Sequence, residues 1–148
     1  MTDRMQALQH TLHHEIPLTR AIGIKVTDVT HDAVTLTAPL ENNLNHKATA
    51  FGGSLYSVAV LAGWSLIHSR LHELGLAAHI VIQESDIRYL QPVTQDIVAT
   101  ARIESEAGFE KFVRLFRKKG MARISLNAEI GGADGPAVRF QGRYVIHT

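Results

Sequence analysis

The chain has 148 residues, close to half of them hydrophobic and a fifth charged, which is enough apolar material for one ordinary core. A formal net charge of +1 gives no bulk attraction to nucleic acid, and the absence of cysteine excludes disulfides, thiolate catalysis and cysteine-ligated metals. The longest apolar stretch, Val58 to Ile67, is interrupted by Gly63 and Ser65 and falls short of the roughly 20 residues a bilayer requires; the polar N-terminus lacks the apolar run of a signal peptide, so the expected location is cytoplasmic.

In chain order, Asp3 to His14 can form an amphipathic helix with Met5, Leu8 and Leu12 on one side, ended by Pro17. Ile24 and Val26, then Val34, Leu36 and Ala38, alternate with polar residues and predict two strands joined by a turn at Thr30-His31-Asp32. Pro39 to Gly53 reads as a long polar loop, and long loops without structure of their own are often functional. Gly52-Gly53 opens a helix that runs to about Leu74, with Gly75 as its stop. That helix is apolar on nearly every side, so it is expected to be buried. His79 to Leu90 predicts a long strand whose apolar face switches from Ile80 and Ile82 to Ile87 and Tyr89, which calls for a bulge or bend. Ile97 to Ile103, Ala122 to Ile130 and Val138 to Ile146 alternate cleanly, as strands of a sheet with one covered face do. Phe109, Phe112, Val113 and Phe116 lie at helical spacing, ahead of Gly120. The order predicts one α+β domain over residues 1–148: an antiparallel sheet rolled around a central helix, with an edge strand left over for a second copy.

Several local sequences carry a resemblance. Ile16-Pro17-Leu18 with Gly23-Ile24, the junction Phe51-Gly52-Gly53-Ser54-Leu55 after Asn45 and Thr49, and the strand end Tyr89-Leu90-Gln91-Pro92 together resemble the hot-dog thioesterase superfamily over nearly the whole chain. The segment Asn45 to Ser57 is most similar to a stand-alone or acetyltransferase-fused branch labelled "putative thioesterase" and associated with malonyl-acyl-carrier-protein decarboxylation. The resemblance implies a hot-dog fold and a homo-oligomer, a dimer or dimer of dimers with sites near subunit interfaces. It further implies an acyl carrier protein or coenzyme A thioester as substrate. No metal, organic cofactor, nucleic acid or membrane is implied.

The chain departs from the His-Gly-Gly thioesterases at two positions. Phe51 stands where they carry histidine, and Val60 stands roughly where they place a carboxylate. The stretch Ser54 to Leu71 holds no Asp or Glu. Hydrolysis needs a base or a nucleophile, whereas decarboxylation of a malonyl thioester needs only stabilisation of the growing enolate. On that reading the backbone of Gly53 and Ser54 would bind the thioester oxygen, and Asn45 would orient the substrate carboxylate. His46 or water would return a proton, and Thr49, Phe51, Gly52, Tyr56, Ser57, Glu84 and Ser85 would line the substrate. The alternatives are a thioesterase with Glu84 or a partner-chain residue as base, and a non-catalytic acyl-thioester-binding module.

Each residue also has a plainer reading. Asn45 can brace a loop, Gly52-Gly53 can be a tight helix start, and Ser54, Tyr56 and Ser57 can be first-turn or packing residues. His46 can face solvent, Glu84 and Ser85 can be ordinary strand residues, and His10, His13 and His14 are weak as metal ligands. Lys111, Arg114, Arg117, Lys118 and Lys119 form either a solvated basic face or a landing patch for acidic carrier protein.

Overall fold

A computed structural model describes residues 1–148. Helix α1 (Asp3–Glu15) is followed by a five-residue helix α2 (Leu18–Ile22). Strands β1 (Lys25–Val29) and β2 (Ala33–Ala38) precede a 3-10 turn (Leu40–Asn43) and the long helix α3 (Gly52–Glu73). Then come β3 (His79–Tyr89), β4 (Ile97–Arg102), α4 (Glu106–Lys119), β5 (Met121–Gly132) and β6 (Gly135–His147). All pairings are antiparallel, in the order β1-β2-β4-β5-β6-β3. This is the expected hot-dog arrangement, with α3 held against the sheet.

Helix α3 is buried because it is apolar all round: Val58, Ala59, Ala62, Leu66 and Ile67 have no exposed surface. Two tyrosines pin it to the β3–β6 side. Tyr144 Oη donates to the Val60 carbonyl (2.6 Å), and Tyr89 Oη donates to the Gly52 carbonyl (3.0 Å). Gly63 makes the first contact possible, because a Cβ there would overlap the Tyr144 phenol.

The bulge expected in the long strand lies between Ile82 and Glu84. It restores the inward direction after the apolar face switches, so Ser85, Ile87 and Tyr89 turn toward α3 while Glu84, Asp86 and Arg88 turn to the outer face. Gly120, at φ 72, ends α4 in the left-handed conformation, and Ser105 caps its start through Gly108 N (2.9 Å).

Two expectations change. The Leu18–Ile22 stretch is helical, because Pro17 starts a turn there as readily as it ends α1. The Pro39–Gly53 segment is not structureless: it holds the 3-10 turn and then a small hairpin closed by a Leu44–Ala50 bridge.

The two sheet edges differ. At β1, α1 covers the edge: Gln9 Oε1 accepts from Val26 N (3.0 Å), and His13 Nε2 meets the Ile24 carbonyl (2.7 Å). Strand β3 pairs only with β6, leaving eleven residues of open edge. No helix is long and apolar enough to cross a membrane.

Candidate active site at the start of α3

Phe51 is the N-cap of α3, with extended φ and ψ, and it has no side-chain oxygen with which to cap the helix. Its backbone donates to the Asn43 carbonyl (2.8 Å), and the first helical bond runs from Leu55 N to Phe51 O (3.0 Å). The N–H groups of Gly52, Gly53 and Ser54 are therefore left without a protein acceptor at the positive end of a 22-residue helix. Two aromatic rings flank them. The Phe51 ring lies over Gly53, where a Cβ would strike it, and the Tyr89 ring would stand 3.6 Å from a Cβ at Gly52. Burial and the neighbouring Tyr56 phenol push the Tyr89 hydroxyl up from its ordinary value, which keeps it protonated and donating to Gly52.

The hairpin before the helix is built around Asn45. Its Oδ1 accepts from Lys47 N (2.8 Å) and Thr49 N (3.1 Å). Its Nδ2 donates to Thr49 Oγ1 (2.8 Å) and, through a longer contact, to the Ala50 carbonyl (3.4 Å). Asn45 thus braces the loop, as its plainer reading anticipates, and only the long bond to Ala50 is loosely held. Ala48 completes the turn at φ 62, in the left-handed region. His46 and Lys47 are exposed at the tip.

Tyr56 and Ser85 do come together, with their hydroxyl oxygens 2.6 Å apart. Tyr56 also packs edge-on against Phe140 (5.8 Å, 77°). Ser57 Oγ donates to the Gly53 carbonyl (2.9 Å), so its proton is committed within the helix and it is poorly placed as a nucleophile. Ser54 and Thr49 are half-buried beside the junction.

Other expected residues are not brought to this turn. Glu84 lies on the outer face of the sheet, opposite Arg143 and 3.5 Å from its guanidinium. It faces away from α3, because the bulge reverses direction one residue before it. Lys111, Arg114, Arg117, Lys118 and Lys119 are all exposed on α4, yet both ends of α4 lie toward the C-terminal half of α3. Glu106 there holds Arg70, and Gly120 meets Thr148. The basic face is roughly 20 Å or more along the helix axis from the free N–H groups of the same chain.

At that same far end, His31, Asp32 and Glu106 place ligand-type atoms within 4.8 Å of one another. Glu106 is already engaged there, since the hydrogen bond from Arg70 holds its carboxyl below the usual carboxylate range. A groove of about 630 Å3 also lies along the far half of α3, lined by Trp64, His68, Leu76, Ile80 and Val81 among others.

Sequence reasoning missed Tyr89 as a site residue. Its period-two spacing from Ser85 and Ile87 placed it on their face, but nothing local shows that this face ends beside Gly52.

Residues 5–148 match the family described as "Putative thioesterase (yiiD_Cterm)". The chain belongs to this family. Among solved structures it is similar to a protein of unknown function from Chlorobaculum tepidum TLS, at 34% identity and a TM-score of 0.93, covering 97% of this chain and 94% of that one. It is also similar to a "putative thioesterase" from Shewanella oneidensis, at 26% identity and a TM-score of 0.85, covering all of both chains. A thioesterase from Haemophilus influenzae shares the fold alone, at 13% identity and a TM-score of 0.75 over 99% of this chain and 92% of that one.

Proposed function

We propose that this member of the thioesterase-like family decarboxylates a malonyl thioester, on acyl carrier protein in preference to coenzyme A, and so supplies an acetyl thioester to prime fatty acid synthesis. The observation that carries this reading is a set of free N–H groups with no carboxylate beside it. Gly52, Gly53 and Ser54 can receive negative charge growing on the thioester oxygen, where preorganised donors contribute most. From Gly52 to His72 the helix carries no Asp or Glu, and Glu84 points the other way. A malonyl thioester brings its own leaving carboxylate, so no base has to start the reaction. Asn45 would exchange its long bond to Ala50 for the substrate carboxylate. Its short bond to Thr49 Oγ1 leaves the threonine proton free to donate in the same direction. Phe51 and Tyr89 would wall the site.

The inward faces of Ser85 and Tyr89 stay exposed next to the open β3 edge. This supports a homodimer in which a second copy pairs with that edge and borders the site. The basic residues of α4 would then dock an acidic carrier presented to the dimer.

Membership of a putative thioesterase family and the likeness to the Shewanella protein favour a second reading, acyl-thioester hydrolysis. Parallel assays of carbon dioxide and free thiol on malonyl substrates separate the two. The proposal expects carbon dioxide without thiol, and stoichiometric thiol release would favour hydrolysis by a base from the partner chain.

A further inference from the structure

Most protic side chains around the first two turns of α3 are committed to backbone. Tyr89 donates to Gly52, Tyr144 to Val60 and Ser57 to Gly53. Tyr56 stands apart. Its hydroxyl shares a short 2.6 Å hydrogen bond with Ser85 Oγ and is not tied to a carbonyl. It lies one turn beyond Gly53, and helical side chains lean toward the N-terminus, which directs the phenol toward the turn that carries the free N–H groups. The edge-on contact with Phe140 fixes the ring. Ser85 itself is exposed, so the pair joins the site to solvent. His46, the other protic group near the start of the helix, stands at the exposed hairpin tip.

We infer that Tyr56 is the proton donor that quenches the enolate and that Ser85 is its positioning residue and link to water. The inference rests on the decarboxylase reading and deepens it. When the bond to the substrate carboxylate breaks, carbon dioxide leaves and the electron pair becomes the enolate. The terminal carbon of the enolate then takes the Tyr56 Oη proton, which forms the third C–H bond of the acetyl group. A phenol is a stronger acid than water and is the better donor. The phenolate regains a proton from water through Ser85 Oγ, and the hydroxide so formed combines with carbon dioxide as bicarbonate.

Protonation follows loss of carbon dioxide, so the isotopic make-up of the product reports it whichever step limits turnover. The experiment decarboxylates malonyl-acyl-carrier-protein in an equal mixture of light and heavy water and reads the deuterium fraction of the acetyl group by mass spectrometry. Wild type is compared with Tyr56→Phe, Ser85→Ala and His46→Ala. Tyr56→Phe keeps the ring and its Phe140 contact, and a thermal melt checks its fold. The expected result is a deuterium fraction shifted in Tyr56→Phe, moved in the same direction in Ser85→Ala and unchanged in His46→Ala. Equal fractions in wild type and Tyr56→Phe would overturn the assignment, as would a shift confined to His46→Ala. A folded Tyr56→Phe that makes no product would also overturn it, because it would place Tyr56 before carbon dioxide loss. Free thiol from the wild type would show instead that the decarboxylase reading had failed, and would take this inference with it before any variant was compared.

Discussion

Ala48 sits at φ 62, where a Cβ crowds the following carbonyl, at the tip of the loop that leads into the site. Glycine is free of that conflict, so Ala48→Gly is expected to stabilise the fold by about 1 kcal/mol in urea titration, the gain being trimmed by glycine's larger unfolded-state entropy. A loss of stability would mean that the Cβ packs usefully. Asn45 permits a finer division. Asn45→Asp keeps the acceptor for Lys47 N and Thr49 N and removes the donor to Thr49 and Ala50. It is expected to keep most of the stability while losing decarboxylation by about a hundredfold, in line with the loss of one oriented donor. Asn45→Ala should lose both, and full decarboxylation in either variant would contradict the role given to the amide. At this scale the sequence was half legible. Asparagine in a polar loop announces a brace, but the choice of partners depends on a left-handed alanine that composition does not reveal. Glu84 shows the opposite case. The resemblance put it near the site with its direction open, and a one-residue bulge turned it to the outer face.

At the scale of elements, α3 was readable because its apolar residues leave no polar face, and α4 because its phenylalanines keep helical spacing up to Gly120. The bulge in β3 was readable from the switch of its apolar face. Helix α2 was not, since five residues after a proline carry too little pattern to separate a turn from a helix. The fit of α3 against β6 was also hidden, because a lone glycine at Gly63 says nothing about which ring will fill its place. Gly63→Ala puts a Cβ into the Tyr144 phenol. It should cost about 2 kcal/mol of unfolding free energy, as overpacking a tight contact does, and no change would mean that the ring moves aside freely.

His68 gives α3 a pH dependence. Its ring stacks on Trp64 (5.0 Å) and, further away, on His72 (6.2 Å). Burial, then the His72 charge, hold it below the ordinary histidine value against an opposing pull from Glu15. The unfolded chain therefore binds the proton first. The stability contributed is fully present above about pH 6.5 and is lost as the pH falls from there through the lower folded value. His68→Gln should flatten the decline between neutral and mildly acidic pH in thermal melts. An unaltered slope would assign the effect elsewhere.

On the scale of the whole molecule, the two edges of the sheet are treated differently. Gln9 and His13 close β1, whereas β3 keeps its backbone groups open next to the half-exposed side chains of the site. Sedimentation at micromolar concentration should report twice the 16.3 kDa chain mass, and a monomer would mean that the site works without a second copy. The most direct test of the account remains the chemistry. Intact-protein mass spectrometry of malonyl-acyl-carrier-protein incubated with this chain should show the carrier lighter by one carbon dioxide, with acetyl still in thioester linkage. A carrier stripped to its free thiol, with malonate in solution, would contradict the account and show a hydrolase.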